Sequence, residues 1–120
     1  MVTFQKIMCV VIMATAANLS FAALAKFDAY VDRMITDDVN YAGCMAKIKP
    51  GPATQGLDCA PSFVTIDCSG ELGSSKSLAA QKYSSAQLAL VTGAKVKVVV
   101  VDTKKANGYC YLQRIDNYAP

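Results

Sequence analysis

Four cysteines carry the most definite chemistry in this chain. Cys44, Cys59, Cys68 and Cys110 remain once Cys9, which lies in an apolar N-terminal segment, is set aside. An even set in a small exported domain reads as two disulfides. The other common use of cysteine is metal binding, and the spacing opposes it: no two of the four form a C-x-x-C pair, and histidine is absent. Four cysteines allow three pairings. The expected one joins Cys44 to Cys59 and Cys68 to Cys110, the first bond stapling the intervening loop and the second tying the two halves of the domain. Cys44 with Cys68 across a hairpin is the competing arrangement.

Catalytic chemistry finds no comparable set. Without histidine the commonest general base at neutral pH is missing, the serines have no activating partner, and no G-x-S-x-G elbow is present. Ser74-Ser75-Lys76 is more economically a helix start. Asp28, Asp32, Asp37 and Asp38 are the carboxylates from which a glycosidase pair or a calcium loop would be drawn. Asp37-Asp38-Val39-Asn40, however, has turn composition and lacks calcium-loop spacing. The chain is therefore expected to be a non-enzyme that needs no cofactor or metal.

For binding, the candidate residues lie on the last hairpin: Lys104, Lys105, Asn107, Tyr109 and Tyr111. A tyrosine offers a flat apolar face to a sugar ring and a hydroxyl beside it. Lysine and asparagine donate hydrogen bonds to sugar hydroxyls or to a carboxylate such as that of sialic acid. The same residues have an ordinary structural use, Asn107 in turning the chain and the tyrosines in packing.

The compartment follows from Met1 to Ala25. Lys6 is a short basic region, Ile7 to Ala17 an apolar core too short to span a bilayer, and Ala23-Leu24-Ala25 an A-x-A cleavage site, with Ser20-Phe21-Ala22 as a second choice. The mature protein is thus expected to be secreted or periplasmic, with no membrane span. The remainder, residues 26–120, suffices for one domain. Removing Lys6 from 12 basic residues leaves 11 against 9 acidic ones. That balance gives no bias toward phosphate backbones, so nucleic acid is disfavoured as a partner.

Periodicity supplies the elements that would position these groups. Phe27 to Thr36 alternates as a half-buried strand, with Ala29, Val31 and Ile35 inward. A turn at Asp37 to Asn40 leads to a second strand, Tyr41 to Ile48, with Ala42, Cys44, Ala46 and Ile48 on one face. Lys49 to Pro61 holds three prolines and two glycines and reads as an ordered loop. Ser62 to Cys68 is a third strand. Ser74 or Ser75 caps a helix over Lys76 to Val91, which Thr92-Gly93 ends. Ala94 to Asp102, valine-rich and apolar on both faces in its second half, is a fourth strand. Asn107-Gly108 is a turn signal, and Tyr109 to Asn117 is a fifth strand. Strand, strand, strand, helix, strand, strand is the order of the OB-fold, a small Greek-key barrel, and two disulfides would stabilise it.

On a helical wheel Ala79, Tyr83, Ala86 and Leu90 form the core-facing stripe. The opposite side offers Gln81, Ser84, Ser85, Gln87 and Leu88, with Lys82 as its only charge beyond the first turn. So little charge on an outer face suits contact with a second copy of the chain, and these five residues are the expected oligomer interface.

From Leu78 to the C-terminus the chain resembles the binding subunits of AB-type bacterial toxins, the cholera and heat-labile enterotoxin B subunits and their subtilase-cytotoxin relatives. The residues that carry the likeness are Ala86-Gln87-Leu88-Ala89-Leu90-Val91-Thr92-Gly93 at the helix end and the strand Ala94-Lys95-Val96-Lys97-Val98. The turn Asp102-Thr103-Lys104-Lys105 and the closing strand through Ile115 complete it. The resemblance implies a pentamer-like homo-oligomer with helices lining a central pore, a glycan or glycoprotein ligand, and an exported A-type partner subunit. The sugar-binding residues of those toxins have no matching motif here, and none is carried over. A small exported protein-interaction or inhibitor domain, acting as monomer or dimer, is the alternative function.

Overall fold

The computed structural model describes residues 23–119. The leader expected over most of Met1 to Ala25, with Cys9, lies outside the described residues. The elements are five strands and one helix: β1 (Leu24–Thr36), β2 (Cys44–Lys49), β3 (Phe63–Thr65), α1 (Lys76–Thr92), β4 (Val96–Ala106) and β5 (Tyr109–Asn117). Short 3-10 turns occupy Tyr41–Gly43 and Pro52–Gln55. β1 pairs antiparallel with β2 and also with β4, β2 with β3, and β4 with β5, while β3 and β5 run parallel. The pairings form a closed circuit, β1-β2-β3-β5-β4 and back to β1.

β1 can serve two neighbours because it is long and bends. Its first half carries Phe27, Ala29 and Val31 toward the core and pairs with β4 from Leu24↔Val101 to Ala29↔Val96. A register shift between Val31 and Arg33 then breaks the alternation on the β2 side. An extra residue of this kind moves every later side chain to the other face. Met34 consequently packs on the core where the simple alternation places Ile35.

The interior is filled by Val64, Val96, Val98, Val100 and Leu112 from the sheet, by Ile66 just after β3, and by Ala79, Ala86 and Ala89 from α1. Alanine at those helix positions lets α1 lie close against the strands. Val99 and Val101, on the other face of β4, are also buried, as the two-sided apolar run requires. The helix starts where Ser75 accepts a hydrogen bond from the Leu78 N–H at 3.1 Å and stops at Gly93, whose φ of 68° is left-handed. The last hairpin is tighter than the expected connection from Thr103 to Gly108: β4 continues to Ala106, and only Asn107 (φ 51°) and Gly108 (φ 82°) turn the chain.

The disulfide pairing differs from the expected one. Cys44 is joined to Cys68 and Cys59 to Cys110. Cys44 begins β2, and the Ile66 N–H donates to the Cys44 carbonyl at 3.0 Å, so the β2–β3 ladder carries the chain just beyond β3 back to Cys44. Cys59 is delivered instead to β5, where the Ala60 N–H donates to the Gly108 carbonyl at 2.9 Å. The second bond therefore pins the proline-rich loop to the last hairpin.

Candidate ligand-binding site

The site grows from a buried turn after β3. Thr65 is fully buried, and its hydroxyl donates to the Tyr41 carbonyl at 2.8 Å while accepting the Asp67 N–H at 3.1 Å. That holds Asp67, also fully buried, at a positive φ of 63°. Its carboxylate accepts the N–H groups of Leu72 at 3.1 Å and of Ser74 at 3.0 Å. Buried carboxylates persist where donors surround them in this way. The turn thus places Ser74 just ahead of α1.

Ser74 Oγ is hydrogen-bonded to the Tyr111 hydroxyl. The same hydroxyl accepts from Lys82 Nζ at 2.8 Å, and Lys82 Nζ also donates to the Leu112 carbonyl at 3.1 Å. A continuous polar chain, Asp67 to Ser74 to Tyr111 to Lys82, therefore links the turn, β5 and the helix. Burial pushes the Tyr111 phenol up, but the hydrogen bonds from Lys82 and Ser74 and the Lys82 charge outweigh it, holding the phenol below its ordinary value. Two cations flank the ring, with Lys82 Nζ 4.6 Å and Lys104 Nζ 5.6 Å from its centre.

Beside this chain lies a cavity of about 330 Å³ lined by Leu78, Lys82, Val101, Thr103, Lys104, Tyr111 and Gln113. Its polar groups are two ammoniums, two hydroxyls and an amide. A larger cleft of about 650 Å³ lies at the other end of α1, between Leu88, Thr92, Ala94 and the chain end at Asn117 and Tyr118. Its polar groups satisfy one another. The Tyr118 hydroxyl bonds to Asp28, which keeps its proton on, and Lys95 pairs with Asp28 at 3.8 Å while lying 5.7 Å from the Tyr118 ring. Unlike the larger cleft, the smaller cavity is lined by two lysines, Lys82 and Lys104, that form no ion pair among the described residues.

The five hairpin residues expected to bind are divided by the structure. Lys104 and Tyr111 reach the cavity together. Lys105 pairs with Asp58 at 3.3 Å, and Asn107 occupies the turn. Tyr109 packs edge-on against Tyr41 at 5.4 Å and Phe63 at 6.2 Å. Successive β5 residues face opposite ways, but Tyr109 and Tyr111 share a phase; the register shift between Val101 and Lys105 accompanies their separation. Tyr111 is itself only 7% exposed, so it offers the cavity a polar edge and no open ring face for stacking.

Sequence reasoning missed Lys82, Thr103 and Gln113, and took Ser74 only for a helix start. Lys82 was expected on the outer face of α1 and instead is 6% exposed. The signal was present: it lies three residues after Ala79 and four before Ala86, on the buried stripe. Of the residues expected at an oligomer interface, Gln81, Ser84, Gln87 and Leu88 are exposed. Ser85 is half-buried, its carbonyl accepting from Asn117 Nδ2 at 3.2 Å. Among the described residues, no helix is long and apolar enough to cross a membrane. Comparison with known protein families, with curated proteins and with solved structures found no match to this chain.

Proposed function

We propose that this chain is an exported, non-catalytic binding module of the OB-like barrel type, resembling a toxin B subunit, that takes a glycan or glycoprotein in the cavity between α1 and the β4–β5 hairpin. The circuit β1-β2-β3-β5-β4, with the helix between β3 and β4, supports the barrel assignment. The observation that carries the binding assignment is the convergence of Lys82, Lys104, Tyr111, Thr103 and Gln113 on one cavity. Ligand pockets characteristically combine an apolar lining with a few convergent polar groups, and Leu78 and Val101 supply the apolar part here. In the proposed assembly, copies pack through the outer face of α1, where Gln81, Ser84, Gln87 and Leu88 carry no charge and Val91 is 80% exposed.

A glycan array probed with the oxidised protein tests this function. Binding that is lost in Lys104→Ala supports it, and an array with no binders refutes it. The apolar cleft beside Leu88 and Tyr118 favours a second function, a protein-interaction or inhibitor domain acting as monomer or dimer. Native mass spectrometry separates the two: a ring of five supports the toxin-like assembly, and a monomer or dimer supports the inhibitor.

A further inference from the structure

We infer that Ser74 is a nucleophile, deprotonated by Tyr111, that takes an acyl group from a carboxylic ester. Histidine is absent, so no serine has the usual base. The fold supplies a different one. Ser74 Oγ is hydrogen-bonded to the Tyr111 hydroxyl, and Lys82 Nζ donates to that hydroxyl at 2.8 Å and to the Leu112 carbonyl at 3.1 Å. A nucleophile, a base, and a third group that orients the base, each within hydrogen-bond reach of the next, form the arrangement that activates a side-chain hydroxyl. Asp67 holds the nucleophile from the other side, its carboxylate accepting the Ser74 N–H at 3.0 Å. Ser74 is only half-buried, so an ester can reach its hydroxyl.

Lys82 donates to the Tyr111 oxygen, so the proton shared by Tyr111 and Ser74 lies along their own hydrogen bond. The neutral phenol donates it to Ser74; the phenolate accepts it from Ser74. Burial, and to a lesser degree the Asp67 charge, push the phenol up, and the Lys82 and Ser74 hydrogen bonds with the Lys82 charge outweigh both. From the phenolate state, the Ser74 proton passes to Tyr111 as Oγ bonds to the ester carbonyl carbon and the carbonyl electron pair moves onto its oxygen. When that pair returns, the bond from carbon to the alcohol oxygen breaks, and the departing alkoxide takes the proton from Tyr111. The products are one acyl-serine and one alcohol. Lys104 stands where the transient negative oxygen needs a cation: its Nζ is 5.6 Å from the Tyr111 ring centre and 3.9 Å from the point a Cβ on Gly73 would take, beside the nucleophile. Leu78 and Val101, in the cavity wall next to Tyr111, offer an apolar seat for the acyl chain. The step consumes Ser74 and adds a covalent capture to the binding module; it does not depend on a glycan being the ligand.

The test exposes the full, disulfide-bonded protein to p-nitrophenyl acetate, which releases p-nitrophenolate on acyl transfer, and locates the acetyl group by peptide mass mapping at successive times. Ser84, exposed on α1 and without a base beside it, is the comparison within the same chain. Ser74 is expected to be acetylated at least about 100-fold faster than Ser84, the gain a positioned base supplies. The rate is expected to rise with pH as Tyr111 ionises and to level off above that. Tyr111→Phe is expected to bring Ser74 down to the rate of Ser84, and Lys82→Met, at a positioning residue, to move the pH profile upward. Lys104→Ala, a change at an exposed side chain, is expected to slow Ser74 about tenfold, by removing the cation from the developing oxyanion, even if the buried variants fail to fold. Acetylation confined to lysines, Ser74 reacting no faster than Ser84, or a Ser74 rate unchanged in Lys104→Ala would overturn the inference. None of these results bears on the glycan array, which decides the binding proposal by itself.

Discussion

The two disulfides differ in the length of chain they close, and that difference sets a measurable order of stabilities. Cys44 and Cys68 are 24 residues apart, Cys59 and Cys110 51. Loop-closure entropy assigns about 3.4 kcal/mol to the first bond and about 4.1 kcal/mol to the second at 25 °C. Cys44→Ala with Cys68→Ala removes the first bond alone, so the double variant should lose about 3.4 kcal/mol and keep one disulfide by thiol titration. In a domain this small that corresponds to a fall in Tm of roughly 15–25 °C. Cys44→Ala with Cys59→Ala breaks both bonds, a loss of about 7.5 kcal/mol, comparable with the whole stability of many domains. Urea unfolding followed by circular dichroism reads both numbers. The reasoning fails if the two double variants are reversed in order, because that is the result that joining Cys44 to Cys59 would give.

Three further outcomes follow from particular contacts. Tyr111 should ionise below the ordinary tyrosine value. A phenol held below its ordinary value of 10.0 adds stability above that pH, and the addition disappears as pH falls through the folded value. Ultraviolet titration should show this early phase and lose it in Tyr111→Phe; a single phase in the unaltered protein would contradict the Lys82 hydrogen bond. Gly51→Ala should destabilise by at least about 3 kcal/mol in thermal unfolding, because the added Cβ would lie 1.8 Å from the Pro61 carbonyl oxygen; a neutral variant would refute that contact. Cleavage of the proposed leader should fall after Ala22, leaving β1 whole: the Ala23 N–H donates to Asp102 Oδ1 and the Asp102 N–H to the Ala23 carbonyl, each at 3.2 Å. N-terminal sequencing should therefore begin Ala23-Leu24-Ala25, and a chain beginning at Lys26 would exclude it.

The helix was legible in the sequence because its signals are local. Ser75 caps through its own hydroxyl, Gly93 takes a conformation that few other residues tolerate, and the alanines between them need only their neighbours to form turns. The fifth strand, with Asn107-Gly108 before it, was legible for the same reason. The candidate site was legible in part. Lys104 and Tyr111 lie on one hairpin, where the side-chain chemistry of lysine and tyrosine marks them as binding candidates. Ser74 and Lys82 were not legible as partners of Tyr111, since they meet it across 37 and 29 positions of chain, and no periodicity spans such a distance.

Tyr41–Gly43, expected within the second strand, is a 3-10 turn, but the sequence by itself determined the order of five strands and one helix, the positions of the helix ends and the last turn, and the presence of four cysteines fit for two bonds. Each depends on φ/ψ preference, side-chain period or composition, which neighbouring residues set among themselves. Tertiary structure alone decided which cysteines meet, that a bulge in β1 exchanges Ile35 for Met34 at the core, and that Tyr109 is packed away while Tyr111 faces the cavity. The physical reason is common to all three: each depends on how distant strands register, and register follows from burying the whole apolar surface at once while keeping every buried polar group paired.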